Sequence, residues 1–594
     1  MKQFAKMVLA VICGLIIMTI IGFMMLGSMI AGLSSESGAK PVLARSGILK
    51  IDMSEFVLSE QENEDFDLSA LTAGVAPTPK LSLWRAAQAL KSAAEDPTVK
   101  YIYLKPDGTT SSIAALEEFR AMLDDFRKSG KAIVSYTENP TLGSYYLASV
   151  SDKVYMTSYC AASPMIHGIS VQNIYLADLL KQFGVNVQLI RHGKYKSAGE
   201  MFVRNAPSAE NQHQTSEMVN SIWDSYISEI CSSREISKDK FNSLVDNLQL
   251  RTAGDLKENG LVDELMDRAE LLRKLADLAG IEDEKGLKAI PFTEYAKSKV
   301  YASFKAKNQI AVIYADGDII DDNKPTDISG DRFVSILDEV RNNDNIKAVV
   351  FRVNSPGGSA FASEKIRAEI ERLRAEKPVI ASYGSYAASG GYWISNSCDH
   401  IFTDKTTLTG SIGVFSMIPD ISKTLRDKLH VNVVTTNSNA AGNPLDITKP
   451  LNDKEREYIQ ALIDDIYENF VTIVAEGRNM DKAKVDELGQ GRVWTGAQAI
   501  EIGLADEIGG LTDALLFAAE AAGDSNIDAW SIQSYPRPMT KMEAFASMLE
   551  HATNDNVLAG TPYETIAKMA LKWNSETQRN HAFARMTEDY FVVK

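Results

Sequence analysis

The sequence predicts an α/β protein in which one domain plan is laid down twice, each copy a parallel-rich sheet covered by helices. Two observations predict it. Short apolar runs alternate with amphipathic helical stretches, as a parallel sheet buried on both faces requires. The same motifs then recur in the same order about 246 residues further on, which marks an internal duplication. Lys100-Tyr-Ile-Tyr-Leu returns as Lys347-Ala-Val-Val-Phe, and Lys131-Ala-Ile-Val-Ser-Tyr as Lys377-Pro-Val-Ile-Ala-Ser-Tyr. Gly143-Ser-Tyr-Tyr-Leu returns as Gly390-Gly-Tyr-Trp-Ile, Val185-Asn-Val as Val431-Asn-Val, and Gly260-Leu-Val-Asp-Glu as Gly503-Leu-Ala-Asp-Glu.

Taken in order, the chain opens with Lys2 and Lys6 before residues 7–33, which carry no charge. A signal-peptide core needs about 7–15 apolar residues and a spanning helix about 20, so residues 1–34 are expected to form a retained transmembrane helix. The two lysines favour a cytoplasmic N-terminus, which puts the body on the other side of the membrane. Residues 34–40 read as a linker, and the acidic stretch 61–67 as a surface loop. The first repeat is assigned to 45–290 and the second to 291–536. Within the second, residues 310–314, 348–353, 379–383, 401–403 and 431–435 read as strands. Residues 333–341 and 363–376 read as helices, because apolar side chains such as Ile366, Ile370 and Leu373 recur at steps of three and four. Helical regions at 216–231 and 453–476 close the two copies. Residues 537–594 extend past the repeat, with apolar residues at helical spacing and no assigned role.

Composition narrows the function. A chain of 594 residues with 45% hydrophobic and 24% charged content is ordinary globular material for several domains. A net charge of −17 argues against nucleic-acid binding, which needs a basic face to neutralise phosphates. The cysteines Cys13, Cys160, Cys231 and Cys398 are far apart and lack paired spacing, so neither a disulfide framework nor a metal site is indicated.

The chemistry is read from Ala387-Ala388-Ser389-Gly390-Gly391. A serine between a strand end and a helix start can point its hydroxyl into a cleft, with the Gly390 amide facing an oxyanion. The copies diverge here. The first has Leu142 at the Ser389 position, and leucine is no nucleophile. It has Arg191-His-Gly-Lys194-Tyr-Lys196-Ser-Ala where the second has Asn437-Ser-Asn-Ala-Ala-Gly442, without a lysine. One copy keeps a serine and the other a lysine, as expected of a single site built from both. A serine needs a base, and a lysine serves when burial keeps it neutral. Lys194 and Lys196 would share a face in an extended segment, so spacing leaves both open as the base. Gly357-Gly358 after a strand can leave amides free for an oxyanion, with Gly358 paired to Gly390. Ser411, in Leu408-Thr-Gly-Ser-Ile-Gly, reads either as a serine that hydrogen-bonds and orients the lysine or as a plain turn residue. Ser359 is a rival nucleophile but reads as a helix N-cap, and His400 is a rival base.

Tyr195-Lys196-Ser-Ala, Ser355-Pro-Gly-Gly-Ser359, Ala388-Ser389-Gly-Gly-Tyr-Trp-Ile and Leu408-Thr-Gly-Ser411-Ile-Gly together resemble the signal peptide peptidase A (protease IV) family in its long, duplicated bacterial form. The resemblance implies tandem ClpP/crotonase-like domains and a serine endopeptidase working without a cofactor. It matches Ser389 to the nucleophile, Lys196 to the general base and Ser411 to the serine supporting the lysine. It also implies a homotetramer anchored in the inner membrane, with its catalytic body on the periplasmic side, degrading cleaved signal peptides. The alternatives are a crotonase-type enzyme acting on acyl thioesters, which would favour a carboxylate acid/base, and a non-catalytic membrane scaffold, which predicts decay of either half-site.

Overall fold

The computed structural model describes residues 43, 47–62, 78–282, 284–300, 306, 308–321, 327–538 and 583–586. All of these except Pro538 belong to one compact unit. The expected anchor at 7–33, the linker at 34–40 and most of the acidic stretch 61–67 lie outside the described residues, as does most of 537–594. No helix among the described residues is long and apolar enough to cross a membrane.

Each copy builds its own sheet. In the first, the strand order is Glu264–Met266, Lys153–Thr157, Ala132–Thr137, Tyr101–Lys105, Ile48–Asp52, Ile290–Pro291, with every pairing parallel. In the second, the order is Val493–Thr495, Leu408–Gly410, Val379–Ala388, Ile346–Ser355, Gln309–Asp316, Ser531–Tyr535, and of these neighbours only Val493–Thr495 is antiparallel. Continuous runs such as Ile310–Ala315 are wholly buried, because helices pack on both faces of the sheet. The helix Ala360–Arg374 is typical. Ser359 caps it by accepting from the Ala362 amide, and Ile366, Ile370 and Leu373 form its buried stripe.

The strand Val379–Ala388 runs longer than the apolar pattern at 379–383 suggests. Its first half pairs with His400–Thr403 and its second half with Leu408–Gly410. Changing partner midway lets the strand continue to the serine and lays that serine beside the turn after Gly410.

A third sheet joins the copies. Asn186–His192 of the first copy pairs antiparallel with Val414–Asp420 of the second over seven residues, from Val414 opposite His192 to Asp420 opposite Asn186. Buried charge reinforces the join. Arg352 donates to both oxygens of Glu60 at 2.6 and 3.0 Å and to Glu118 at 2.5 Å, so two first-copy carboxylates close on one second-copy guanidinium. Glu117 accepts from the Lys405 and Thr406 amides.

One expected strand is absent. Residues 431–435 are irregular and exposed, Val434 to 88%. Their first-copy counterpart is a strand because Val414–Asp420 supplies a partner edge. The corresponding edge for 431–435 would be residues 168–174 of the first copy, which are also irregular, with Ile174 58% exposed. β-Propensity without a neighbouring strand does not make a strand.

Candidate active site

The end of Val379–Ala388 turns sharply into the short helix Gly390–Trp393. Ser389 makes the turn at φ 57°, ψ −113°, a conformation that is costly for a residue with a Cβ. It is held by its amide, which donates to the Gly410 carbonyl at 2.8 Å, and by packing that leaves it fully buried. The glycines behind it permit close approach: a Cβ on Gly391 would lie 2.5 Å from the Ser355 carbonyl oxygen. The Gly390 N–H is at the first position of the helix, where a donor has no partner within its own helix.

Lys196 comes from the other copy. It follows the joining strand Asn186–His192, and its loop is held from several sides. Arg191 donates to the Lys196 carbonyl at 2.6 Å and pairs with Glu200 at 3.1 Å. Gln214, on the long helix Ala209–Arg234, donates to the Tyr195 carbonyl and to Ser197 Oγ. The Tyr195 amide donates to the Gln490 carbonyl. Gly491 packs so closely that a Cβ there would lie 2.6 Å from Lys196 Cβ.

The Lys196 amine ends 2.7 Å from Ser389 Oγ, 3.1 Å from Ser411 Oγ and 3.2 Å from the Ser411 carbonyl. The residue is 1% exposed. Burial pushes its pKa well below the usual 10.5, with no neighbouring charge among the causes. A neutral amine has two N–H groups and one lone pair. The two groups on Ser411 accept the two N–H bonds, which leaves the lone pair for the Ser389 hydroxyl. Ser411 Oγ can itself donate to the Gly491 carbonyl at 3.4 Å.

This arrangement can be set beside known proteins. A model of peptidase family S49 matches residues 125–282 and 371–524, two segments displaced by the same interval as the repeated motifs. The chain belongs to peptidase family S49. It is 34% identical over 515 residues to Protease 4 of Haemophilus influenzae, covering 83% of this chain and 82% of that protein. Serine protease SPPA, chloroplastic, of Arabidopsis thaliana is 30% identical, covering 78% and 69%. Putative signal peptide peptidase SppA of Enterococcus faecium is 38% identical across 31% of this chain and 53% of its own length. Among solved structures, a point mutant of ClpP1 from Listeria monocytogenes overlaps 34% of this chain and 93% of its own at 14% identity, with a TM-score of 0.24, too loose an overlap to argue from. As an S49 member the chain is a serine protease, which removes the acyl-thioester alternative.

The geometry separates the rival residues. Lys194 is exposed, with its amine 5.4 Å from the Tyr195 ring. His400 stacks on Phe517 and faces Glu507 at 3.4 Å. Ser359 spends its hydroxyl on the helix cap. Leu142 begins the first-copy helix Leu142–Ala148 and is buried as core. Gly358 sits at φ 155°, where a Cβ would come within 2.0 Å of the Ile319 carbonyl oxygen. Arg191, Glu200 and Gln214 were missed by sequence reasoning. Only their proximity to the lysine in the chain hinted at them, and no pattern of residue types gave them a role.

Proposed function

We propose that this S49 protease is a membrane-anchored endopeptidase in which Ser389 is the nucleophile and Lys196 the general base, acting on cleaved signal peptides. The observation that carries the reading is the 2.7 Å contact between the two side chains, with the lysine buried and its pKa pushed well below the usual value. Lys196 takes the Ser389 proton as Oγ attacks the scissile carbonyl. The oxyanion is held by the Gly358 and Gly390 amides, and Lys196 then returns the proton to the leaving amine. Water, deprotonated by the same lysine, releases the acyl group. The steps need no cofactor.

Anchoring in the inner membrane, with the body on the periplasmic side, rests on the uncharged stretch 7–33 behind Lys2 and Lys6. Such an anchor would hold the protease where cleaved signal peptides accumulate, and one matched relative is named a putative signal peptide peptidase. Assembly is argued from the duplication. One cross-copy strand pairing is closed within the chain, and its equivalent, 431–435 with 168–174, is left open with apolar residues exposed. Two chains placed head to tail would close it, and repetition gives a ring. The count of four is taken from the family resemblance.

The test is covalent labelling by a fluorophosphonate together with hydrolysis of a signal-peptide substrate. Ser389→Ala should abolish both. Lys196→Ala should abolish hydrolysis while the chain still folds. Labelling that survives Ser389→Ala sinks the assignment.

A further inference from the structure

The second copy presses on Lys196 through the turn formed by residues 490–492. The Gln490 carbonyl accepts from the Tyr195 amide at 2.9 Å, and the Arg492 carbonyl accepts from the Ser411 amide at 2.7 Å. Between them, the Gly491 carbonyl accepts from Ser411 Oγ at 3.4 Å, and Gly491 packs against the lysine stem. One turn therefore touches both the loop that carries the lysine and the serine that binds its amine. The turn does not hold its own shape: Gln490 sits at φ 53°, a left-handed conformation disfavoured for a residue with a Cβ. Tyr467, on the helix Asp453–Gly477, holds it there. Its hydroxyl donates to Asp486 at 2.6 Å and accepts from the Gln490 amide at 3.1 Å and from Gln490 Nε2 at 3.2 Å. A phenol has one hydrogen to give and two lone pairs to receive with, and all three are used. Gln490 Nε2 also donates to Asp486 at 2.6 Å, which closes the triangle. The ring of Tyr467 works on the other side. It stacks on His192 at 3.9 Å between centroids, and His192 is the last residue of the strand that leads to Lys196.

We propose that Tyr467 is a positioning residue for Lys196, acting through Gln490 to keep the 490–492 turn closed over the lysine stem and water away from its amine. The inference rests on the general-base reading of Lys196. Burial alone lowers the pKa of that amine, so whatever admits water beside it must raise that pKa. The other charged groups around the turn are common to every variant described below except where named. Arg191 and Glu200 face the loop from the first copy and pair with each other at 3.1 Å. His192 and Asp464 pair at 2.7 Å beside the Tyr467 ring, Asp486 faces its hydroxyl, and the Arg492 guanidinium lies 3.8 Å from the Trp494 ring centroid. Burial pushes the Tyr467 phenol above its usual range, so it stays a hydrogen-bond donor while the lysine titrates.

The experiment measures kcat and KM for a fluorogenic peptide across pH in the full chain carrying Tyr467→Phe. Phenylalanine keeps the stack on His192 and removes the hydroxyl. The acid limb of the kcat profile should move up by about one pH unit, a tenfold loss of kcat on that limb, with KM unchanged and kcat recovering on the alkaline side. Fluorophosphonate labelling of Ser389 should show the same displaced limb. Gln490→Gly is the second variant: glycine adopts a positive φ freely, so the chain folds without the side-chain tie, and its limb should move in the same direction. It decides the question if Tyr467→Phe does not fold. A limb at the wild-type pH in the folded variants overturns the positioning role, whether kcat is unchanged or lowered equally at every pH; so does a raised KM with wild-type kcat. In each of these cases Lys196→Ala remains inactive and the base assignment stands. Hydrolysis that persists in Lys196→Ala overturns both.

Discussion

Replacing Lys196 with methionine separates the lysine's chemistry from its cost. Methionine nearly matches the lysine stem in volume and cannot bind a proton. The lysine is buried without an ionic partner, and burial pushes its pKa well below 10.5. On unfolding it regains an ordinary pKa and takes up a proton at any pH below about 10.4. Where the folded amine is neutral and the unfolded one charged, the folded state binds one proton fewer, so wild-type stability must rise with pH there. The slope is about 1.4 kcal/mol for each pH unit. Lys196→Met lacks this contribution, while every other titrating group is common to the two proteins. The difference between their unfolding free energies should thus change by about 2.5 kcal/mol between pH 8 and pH 10, with the mutant's relative advantage greatest at the lower pH. Urea unfolding at several pH values measures it. Activity should fall at least about 10⁴-fold in the same mutant, as for loss of a general base. Parallel stability curves would mean that Lys196 keeps its proton in the folded protein at these pH values, and the base assignment would fail with them.

Other outcomes follow from single contacts. Ser411→Ala removes one hydrogen-bond partner of the Lys196 amine, so kcat should drop about tenfold with KM unchanged, the equivalent of one hydrogen bond. Gly358→Ala puts a methyl group into the Ile319 carbonyl and displaces the proposed oxyanion donor; kcat should fall by about 100-fold or more. Arg352→Met strands Glu60 and Glu118 without their cation, and urea unfolding should register a loss of about 3–5 kcal/mol. Val433→Pro removes an amide that strand pairing between subunits would use, so sedimentation should show smaller species while circular dichroism stays at the wild-type level.

The duplication was legible because both copies keep the same turn and helix-start residues, and these mark the ends of strands. The meeting of Lys196 with Ser389 was legible because divergence removed one partner from each copy. The choice between Lys194 and Lys196 was not legible. Period-two reasoning puts both on one face, but Gly193, at φ 101°, ends the strand, and the chain then turns. Lys194 is left outside, and Lys196 is carried in. Long-range burial was equally hidden. Nothing around Glu60 in sequence announces that Arg352, on the other copy, will meet it. The irregular run at 431–435 has the residues of a strand and lacks only a neighbour, which local pattern cannot supply.

On the proposed Ser389–Lys196 mechanism, the two cross-copy junctions explain why one chain needs only one such pair. The closed junction brings Lys196 of the first copy to Ser389 of the second. At the open junction the corresponding residues are Leu142 and Gly442, which can neither attack a carbonyl nor accept a proton. If the open edges meet between chains, as the exposed valines of 431–435 favour, each such contact joins two positions that have both lost their chemistry. Catalysis by this pair then depends on the junction fixed inside a single chain, where seven paired residues lead to the lysine and the carboxylates around Arg352 tie the two copies together. The junction between chains is left with assembly alone. A variant that separates the subunits should therefore retain the 2.7 Å dyad and its reactivity toward a small fluorophosphonate, and a monomer that has lost that labelling would contradict this division of labour.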